Sequence, residues 1–107
     1  MASENTSGSQ TASIGTEHTL ATVTDAASLV LAVDLSNLVN GDEVELRAKP
    51  KVRTGSTAAQ AVLAVYAHAQ TNPVVYLVPV PSPHSTAFTL KQVAGTGRSF
   101  DWAVYEL

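Results

Sequence analysis

The chain has 107 residues, no cysteine and a formal net charge of −3, and its length is that of one ordinary domain. The absence of thiols excludes a disulfide scaffold, thiolate metal sites and a cysteine nucleophile. The negative net charge argues against nucleic-acid and anionic-membrane partners attracted by bulk charge. Charged residues make up only 14% of the sequence, which favours a surface packed against other proteins.

The first segment, residues 1–16 (MASENTSGSQTASIGT), is polar and has almost no hydrophobic residues before Ile14. Such a segment buries too little apolar surface to offset the loss of backbone entropy. We therefore predict a flexible N-terminal arm over residues 1–16 that becomes ordered against a neighbouring subunit, followed by a single domain over residues 17–107. A frayed chain end is the alternative. The arm has neither the basic nor the apolar region of a signal peptide.

Turn-forming residues recur at short intervals after the arm, which predicts an all-β sandwich or jelly-roll-like domain of about 7–8 antiparallel strands. The turns are predicted at Asn40-Gly41, Thr54-Gly55-Ser56, Asn72-Pro73, Pro81-Ser82-Pro83 and Gly95-Thr96-Gly97. The strands are predicted, in chain order, over residues 18–24, 28–35, 43–49, 74–80, 87–93 and 99–105.

Two of these strands show clear alternation of apolar and polar residues. Over residues 28–35, every second residue from Leu29 to Leu35 is a large aliphatic, which predicts a core face. Over residues 43–49, apolar residues alternate with charged ones, which predicts one buried and one solvated face. The apolar run 74–80 is bounded by prolines, which predicts an edge strand or one that ends early.

Residues 57–70 allow two interpretations. Thr57 and Gln60 have the spacing of a helix capping box, and the alanines favour a helix. However, residues 62, 64, 66 and 68 alternate with their neighbours as in a strand. We predict a strand because strands are predicted on both sides, and one helix packed over a sheet is the alternative.

No arrangement of residues indicates catalysis. The three histidines, His18, His68 and His84, are too far apart in sequence for ligand spacing on one strand or helix. The segment Gly95-Thr96-Gly97-Arg98 lacks the pattern of a phosphate-binding or dinucleotide-binding loop, and we predict that it is a hairpin turn between the last two strands. We expect no enzymatic activity, no metal and no cofactor.

Two sets of residues are candidates for binding a partner. Arg47, Lys49, Lys51 and Arg53 hold four of the six basic charges in a short strip that suits an acidic partner surface. Exposed aromatic residues would instead form a platform for stacking sugars. The aromatic candidates are Tyr66, Tyr76, Trp102 and Tyr105.

Three segments resemble small structural virion proteins of tailed bacteriophages: residues 34–47 (DLSNLVNGDEVELR), 66–70 (YAHAQ) and 95–102 (GTGRSFDW). The resemblance extends from Thr16 to Leu107 and excludes the arm. It implies a β-sandwich of the capsid decoration or cement type that binds the outer surface of the head and stabilises the shell. It also implies the major capsid protein as partner, association into a homo-oligomer, with a trimer favoured, and no catalytic residues.

The resemblance and the arm together define an expected contact set. It comprises Ser3, Glu4, Asn5, Thr6, Ser9, Gln10 and Ile14 of the arm and Arg47, Lys49, Lys51 and Arg53 of the basic strip. The expected location is the virion surface, after synthesis in the bacterial cytoplasm. Another phage component of the tail, neck or fibre, and a carbohydrate-binding β-sandwich module, remain as alternatives.

Overall fold

The structure is a computed structural model that describes residues 3–53, 55–82 and 84–107. All regular secondary structure in these residues is β-strand, and the predicted all-β sandwich is confirmed. The strands are β1 (Ser3–Thr11), β2 (Glu17–Val23), β3 (Ala27–Asp34), β4 (Glu43–Pro50), β5 (Val62–Ala67), β6 (Val74–Tyr76), β7 (Val80–Ser82), β8 (Thr86–Ala94) and β9 (Ser99–Glu106).

The strands form two antiparallel sheets. Sheet I has the order β1-β9-β3-β6, with β7 pairing farther along β3, and sheet II has the order β2-β8-β4-β5. The chain changes sheet at every connection except those from β4 to β5 and from β6 to β7. When β6 and β7 are taken as one interrupted strand, eight strand positions remain, and their order is that of a jelly roll.

The core lies between the two sheets and follows the predicted alternation. Leu29, Leu31 and Val33 of β3 are at most 1% exposed, and Val44 and Leu46 of β4 are fully buried. Aromatic and aliphatic residues of the last two strands complete the core. These residues are Phe88, Leu90, Phe100 and Val104.

The arm expected over residues 1–16 is not a separate segment in this structure. Ser3–Thr11 form β1, which pairs antiparallel along β9 at the rim of sheet I. The composition of the segment predicts little burial of side chains, and every residue of β1 is exposed or half-buried. What stabilises it is backbone hydrogen bonding to β9, which polar residues provide as well as apolar ones. Met1 and Ala2 lie outside the described residues.

Three local predictions are also resolved. The ambiguous segment contains a strand, Val62–Ala67, so the helix alternative is wrong. The run 74–80 is divided into β6 and the start of β7, and both pair with β3. The turn at 95–98 joins β8 to β9, but these strands lie in different sheets, so the predicted hairpin is wrong. The turn predictions at Thr54 and Pro83 fall on residues outside the described ones.

Candidate functional site

The outer face of sheet I carries a shallow groove of about 370 Å³. Its floor is a row of small side chains that crosses the strands from Ser7 on β1 through Ala103 on β9 to Ala32 on β3. Tyr76 of β6 stands at the end of this row, directly beside Ala32. Larger side chains occupy the neighbouring rows, so the small residues leave a trough between them. We call this feature the sheet I groove.

One wall of the sheet I groove is acidic. Asp34 of β3 lies directly opposite Asp101 of β9, so two carboxylates share one face in adjacent strands. Such a pair of like charges is unfavourable in a sheet, and the register that imposes it is held by the buried residues on the inner face. Among the described residues that line the groove there is no lysine, arginine or histidine.

The Asp34 carboxylate is held in its charged form. Its Oδ1 accepts hydrogen bonds from the hydroxyl of Ser36 and from the Ser36 backbone N–H, the latter at 2.9 Å. These two bonds lower the pKa of Asp34 below its ordinary value. The carboxylate therefore remains ionised at neutral pH and offers an acceptor to a ligand.

The other wall combines an aromatic ring with a third carboxylate. Tyr105 of β9 lies opposite Glu4 of β1 on the outer face. Glu4 accepts a hydrogen bond from the Ser7 hydroxyl at 3.3 Å, and Tyr76 at the end of the floor is 64% exposed. The groove thus offers aromatic rings and carboxylate acceptors, which suits a ligand rich in hydroxyl or ammonium donors.

The four aromatic residues considered as a sugar platform do not lie on one surface. Tyr76 and Tyr105 are on the outer face of sheet I. Trp102 shares the inner face with Val33 and packs against the core, and Tyr66 packs against the same core from sheet II. The structure therefore places two of the four on the outer face of sheet I, and Trp102 also lines the groove.

The arm residues of the expected contact set lie along β1 at one rim of sheet I. Ser3, Glu4, Asn5, Thr6, Ser9 and Gln10 all belong to this strand, and Ile14 follows it with 45% of its surface exposed. The side-chain amide of Asn5 donates to the carboxylates of Asp25 and Glu106, each at 2.7 Å. This amide anchors the start of β1 to the body of the domain.

The basic strip lies on sheet II and is not brought together with β1. Arg47 pairs with Glu45 at 2.6 Å, and Lys49 pairs with Glu17. These pairs reduce the net positive charge of the strip. Lys51 and Arg53 follow β4, and among the described residues neither forms an ion pair.

A buried carboxylate that the sequence analysis did not single out organises the loops at one end of the sandwich. Asp42 is 2% exposed and accepts hydrogen bonds from the N–H groups of Val39 and Thr96 and from Nε of Arg98, at 3.1, 3.2 and 3.0 Å. Burial raises the pKa of Asp42, but these donors outweigh it, so the pKa lies below its ordinary value. The signal available in the sequence is its place immediately after the Asn40-Gly41 turn, where a short acidic side chain can cap backbone N–H groups.

The same loop cluster contains parts of all three segments that carry the phage resemblance. His68 has a positive φ of 64°, and its Nδ1 accepts a hydrogen bond from the Gly41 N–H at 3.0 Å. The side chain of the fully buried Gln92 donates to the carbonyls of Ala94 and Thr96. These bonds assign a structural role to the cluster.

The chain matches no protein-family model, no curated protein and no solved structure. In the part of the chain that the structure describes, no group of three or more histidine, cysteine or acidic residues is arranged to hold a metal ion. No helix there is long and apolar enough to cross a membrane. The functional argument therefore depends on the fold and on the surfaces just described.

Proposed function

We propose that this protein is a structural virion protein of a tailed bacteriophage, of the decoration type, that binds the outer surface of the capsid and stabilises the shell. The role is one of binding, without catalysis. The jelly-roll strand order supports it by analogy alone, because that fold occurs in viral capsid proteins and also in lectins.

The observation that carries the proposal is the position of β1. This nine-residue strand lies at the rim of sheet I with β9 on one side. The Ala12 N–H donates to the Arg98 carbonyl at 2.8 Å. Hydrogen bonding to the partner strand alternates from residue to residue along an antiparallel ladder. The backbone groups of Ser7, Ser9 and Thr11 therefore point away from β9. An extended segment of the capsid can add to this rim as a further strand.

Lys51 and Arg53, which form no ion pair with the described part of the chain, provide a second contact, to an acidic part of the shell. The interface that one copy forms with the shell is modest in size, about 800 Å² per partner, as is usual for specific interfaces. Repetition over the shell makes many such contacts act together. The protein is then located on the virion, after assembly in the host cytoplasm.

The test is co-sedimentation of the purified protein with shells of a matching phage. Ser9→Pro removes an outward N–H of β1 and leaves the ladder to β9 intact, whereas Ser9→Ala keeps that N–H. We expect Ser9→Ala to bind shells as the wild type does and Ser9→Pro to bind much more weakly. Equal binding of the two variants would refute the role of the β1 rim.

A second variant tests the contribution of β1 as a whole. Deletion of residues 1–15 removes β1 and is expected to abolish decoration. Its fold is checked by circular dichroism, because the deletion exposes the edge of β9. A wild-type protein that does not sediment with shells at any concentration refutes the capsid function itself.

The sheet I groove favours a second candidate, a carbohydrate-binding module. Its exposed Tyr76 ring and the Asp34 and Asp101 carboxylates suit a polyhydroxylated ligand. Titration with defined oligosaccharides, followed by nuclear magnetic resonance, tests this directly. The candidate requires that Tyr76→Ala abolish binding and that Val78→Ala, a change outside the groove, leave it unchanged.

A further inference from the structure

Sheet II ends in a strand whose far edge is open. β5 pairs with β4 without any shift in register, and among the described residues it has no other strand beside it. His68, which follows β5, donates its N–H to the Asp42 carbonyl at 2.9 Å. Because bonding alternates along the ladder, Leu63 and Val65 direct their N–H and C=O groups away from β4.

The side chains beside this edge are apolar. Leu63 and Val65 are 45% and 51% exposed on the outer face of sheet II. The strand Val62–Ala67 contains no charged residue and no proline. Val74 and Tyr76 of β6, the short edge strand of sheet I, are also exposed.

Two of the other sheet edges carry features that discourage pairing with a second chain. β2 contains a register shift. β6 has only three residues and lies between Pro73 and Pro79. Irregularities, short edge strands and prolines are the devices by which proteins protect sheet edges. β5 has none of them, so its edge can pair with a further strand.

We propose that the edge of β5 is an interface between two copies of this chain, in which β5 pairs antiparallel with β5 of the second copy. The edge accepts only an extended, regular strand, and β5 is itself such a strand. It is uncharged, so two copies meet without repulsion. The two copies of sheet II then form one continuous sheet.

The register follows from the outward-facing residues. Leu63 of one copy lies opposite Val65 of the other, and the two exchange both backbone hydrogen bonds across a twofold axis at Ala64. The leucine and valine side chains then pair on the outer face, where such cross-strand contacts stabilise a sheet. The small side chain of Ala64 allows close approach at the axis. The interface is self-complementary, so association closes at two copies.

This inference does not depend on the capsid proposal. It also differs from the trimer that the phage resemblance implies, so the mass in solution distinguishes the two. Light scattering is expected to give twice the chain mass of 11.1 kDa and a value that falls on dilution. A trimer, or a monomer that persists up to the solubility limit, would overturn the inference.

The matched variants are Val65→Pro and Val65→Thr. Proline removes the outward N–H, which has no partner among the residues that the structure describes, and threonine keeps both that N–H and the branched side chain. We expect Val65→Pro to be a monomer with an unchanged circular dichroism spectrum and Val65→Thr to remain a dimer. A folded Val65→Pro dimer refutes pairing through β5.

A cross-link provides a test that does not depend on the proline variant folding. The chain has no cysteine, so Ala64→Cys introduces a single thiol. Residues opposite each other at a pair without hydrogen bonds have Cα atoms about 4.5 Å apart, within the range that a disulfide spans. Under mild oxidation Ala64→Cys is expected to form a disulfide-linked dimer, and the exposed control Thr22→Cys is not. Equal cross-linking of the two variants counts against the proposed axis.

Discussion

Asp42→Asn is the substitution that tests the loop cluster most directly. The carboxylate is 2% exposed and accepts three hydrogen bonds, two at Oδ2 from Val39 N and Arg98 Nε and one at Oδ1 from Thr96 N. Asparagine has nearly the same shape but replaces one oxygen with an NH₂ group. Whichever way the amide is turned, at least one donor then faces another donor.

The expected cost follows from these contacts. A buried donor left without an acceptor costs about 1–3 kcal/mol. The bond to Arg98 also loses its charge assistance, but the Arg98 side chain is 32% exposed, so solvent reduces this part. We expect the free energy of unfolding to fall by about 2–3 kcal/mol in total. For a domain of this size that corresponds to a decrease in Tm of about 10–20 °C.

The assay is urea denaturation, followed by the fluorescence of Trp102, the single tryptophan. Because the pKa of Asp42 in the folded state lies below its ordinary value of 3.8, the folded state binds the proton less readily than the unfolded state. The stabilisation is therefore complete above that ordinary value and is lost as the pH falls through the folded-state pKa. The difference between wild type and variant should shrink in the same acidic range.

The control is Asp34→Asn. Among the described residues, the Asp34 carboxylate accepts hydrogen bonds from the neighbouring Ser36 alone, and its position opposite Asp101 is unfavourable for a charge. This variant should lose less than about 1 kcal/mol. If Asp42→Asn is as stable as Asp34→Asn at neutral pH, the buried network does not hold the loops together, and the reasoning is wrong.

Further substitutions test other parts of the structure. Gly95→Ala should cost more than about 1 kcal/mol in urea unfolding, because Gly95 has a φ of +88° and a Cβ there would lie 1.9 Å from Oδ1 of Asp42. Leu90→Ala should cost about 2–5 kcal/mol by the same assay, because the side chain is fully buried between the sheets. Glu17→Gln, which breaks the surface pair with Lys49, should cost at most about 1 kcal/mol, and thermal unfolding in high salt should abolish the difference.

The sequence was informative wherever one strand or one turn determines the result. The alternation from Leu29 to Leu35 identified a core face, because side chains of a strand alternate between its two sides. The glycines at positions 41 and 95 identified turns that need positive φ, and both have it. These predictions need no knowledge of the rest of the chain.

The candidate site was less predictable. Tyr76 and Tyr105 were singled out as aromatic residues, but their common surface requires β6 and β9 to lie on either side of β3. Asp34 and Asp101 become neighbours only through the register of β3 with β9. The role of Asp42 was missed because its partners Thr96 and Arg98 are far away in the sequence.

The sequence by itself determined the class of fold, the positions of most strands and the residues of the core, because apolar periodicity and turn chemistry are local properties of the chain. Only the tertiary structure decided which strands pair, that residues 3–11 form the rim of sheet I, and that the last two strands lie in different sheets. Backbone hydrogen bonds between distant strands hold these arrangements, and such bonds leave no mark in the order of side chains. The sheet I groove and the open edge of β5 both depend on this tertiary arrangement of the strands.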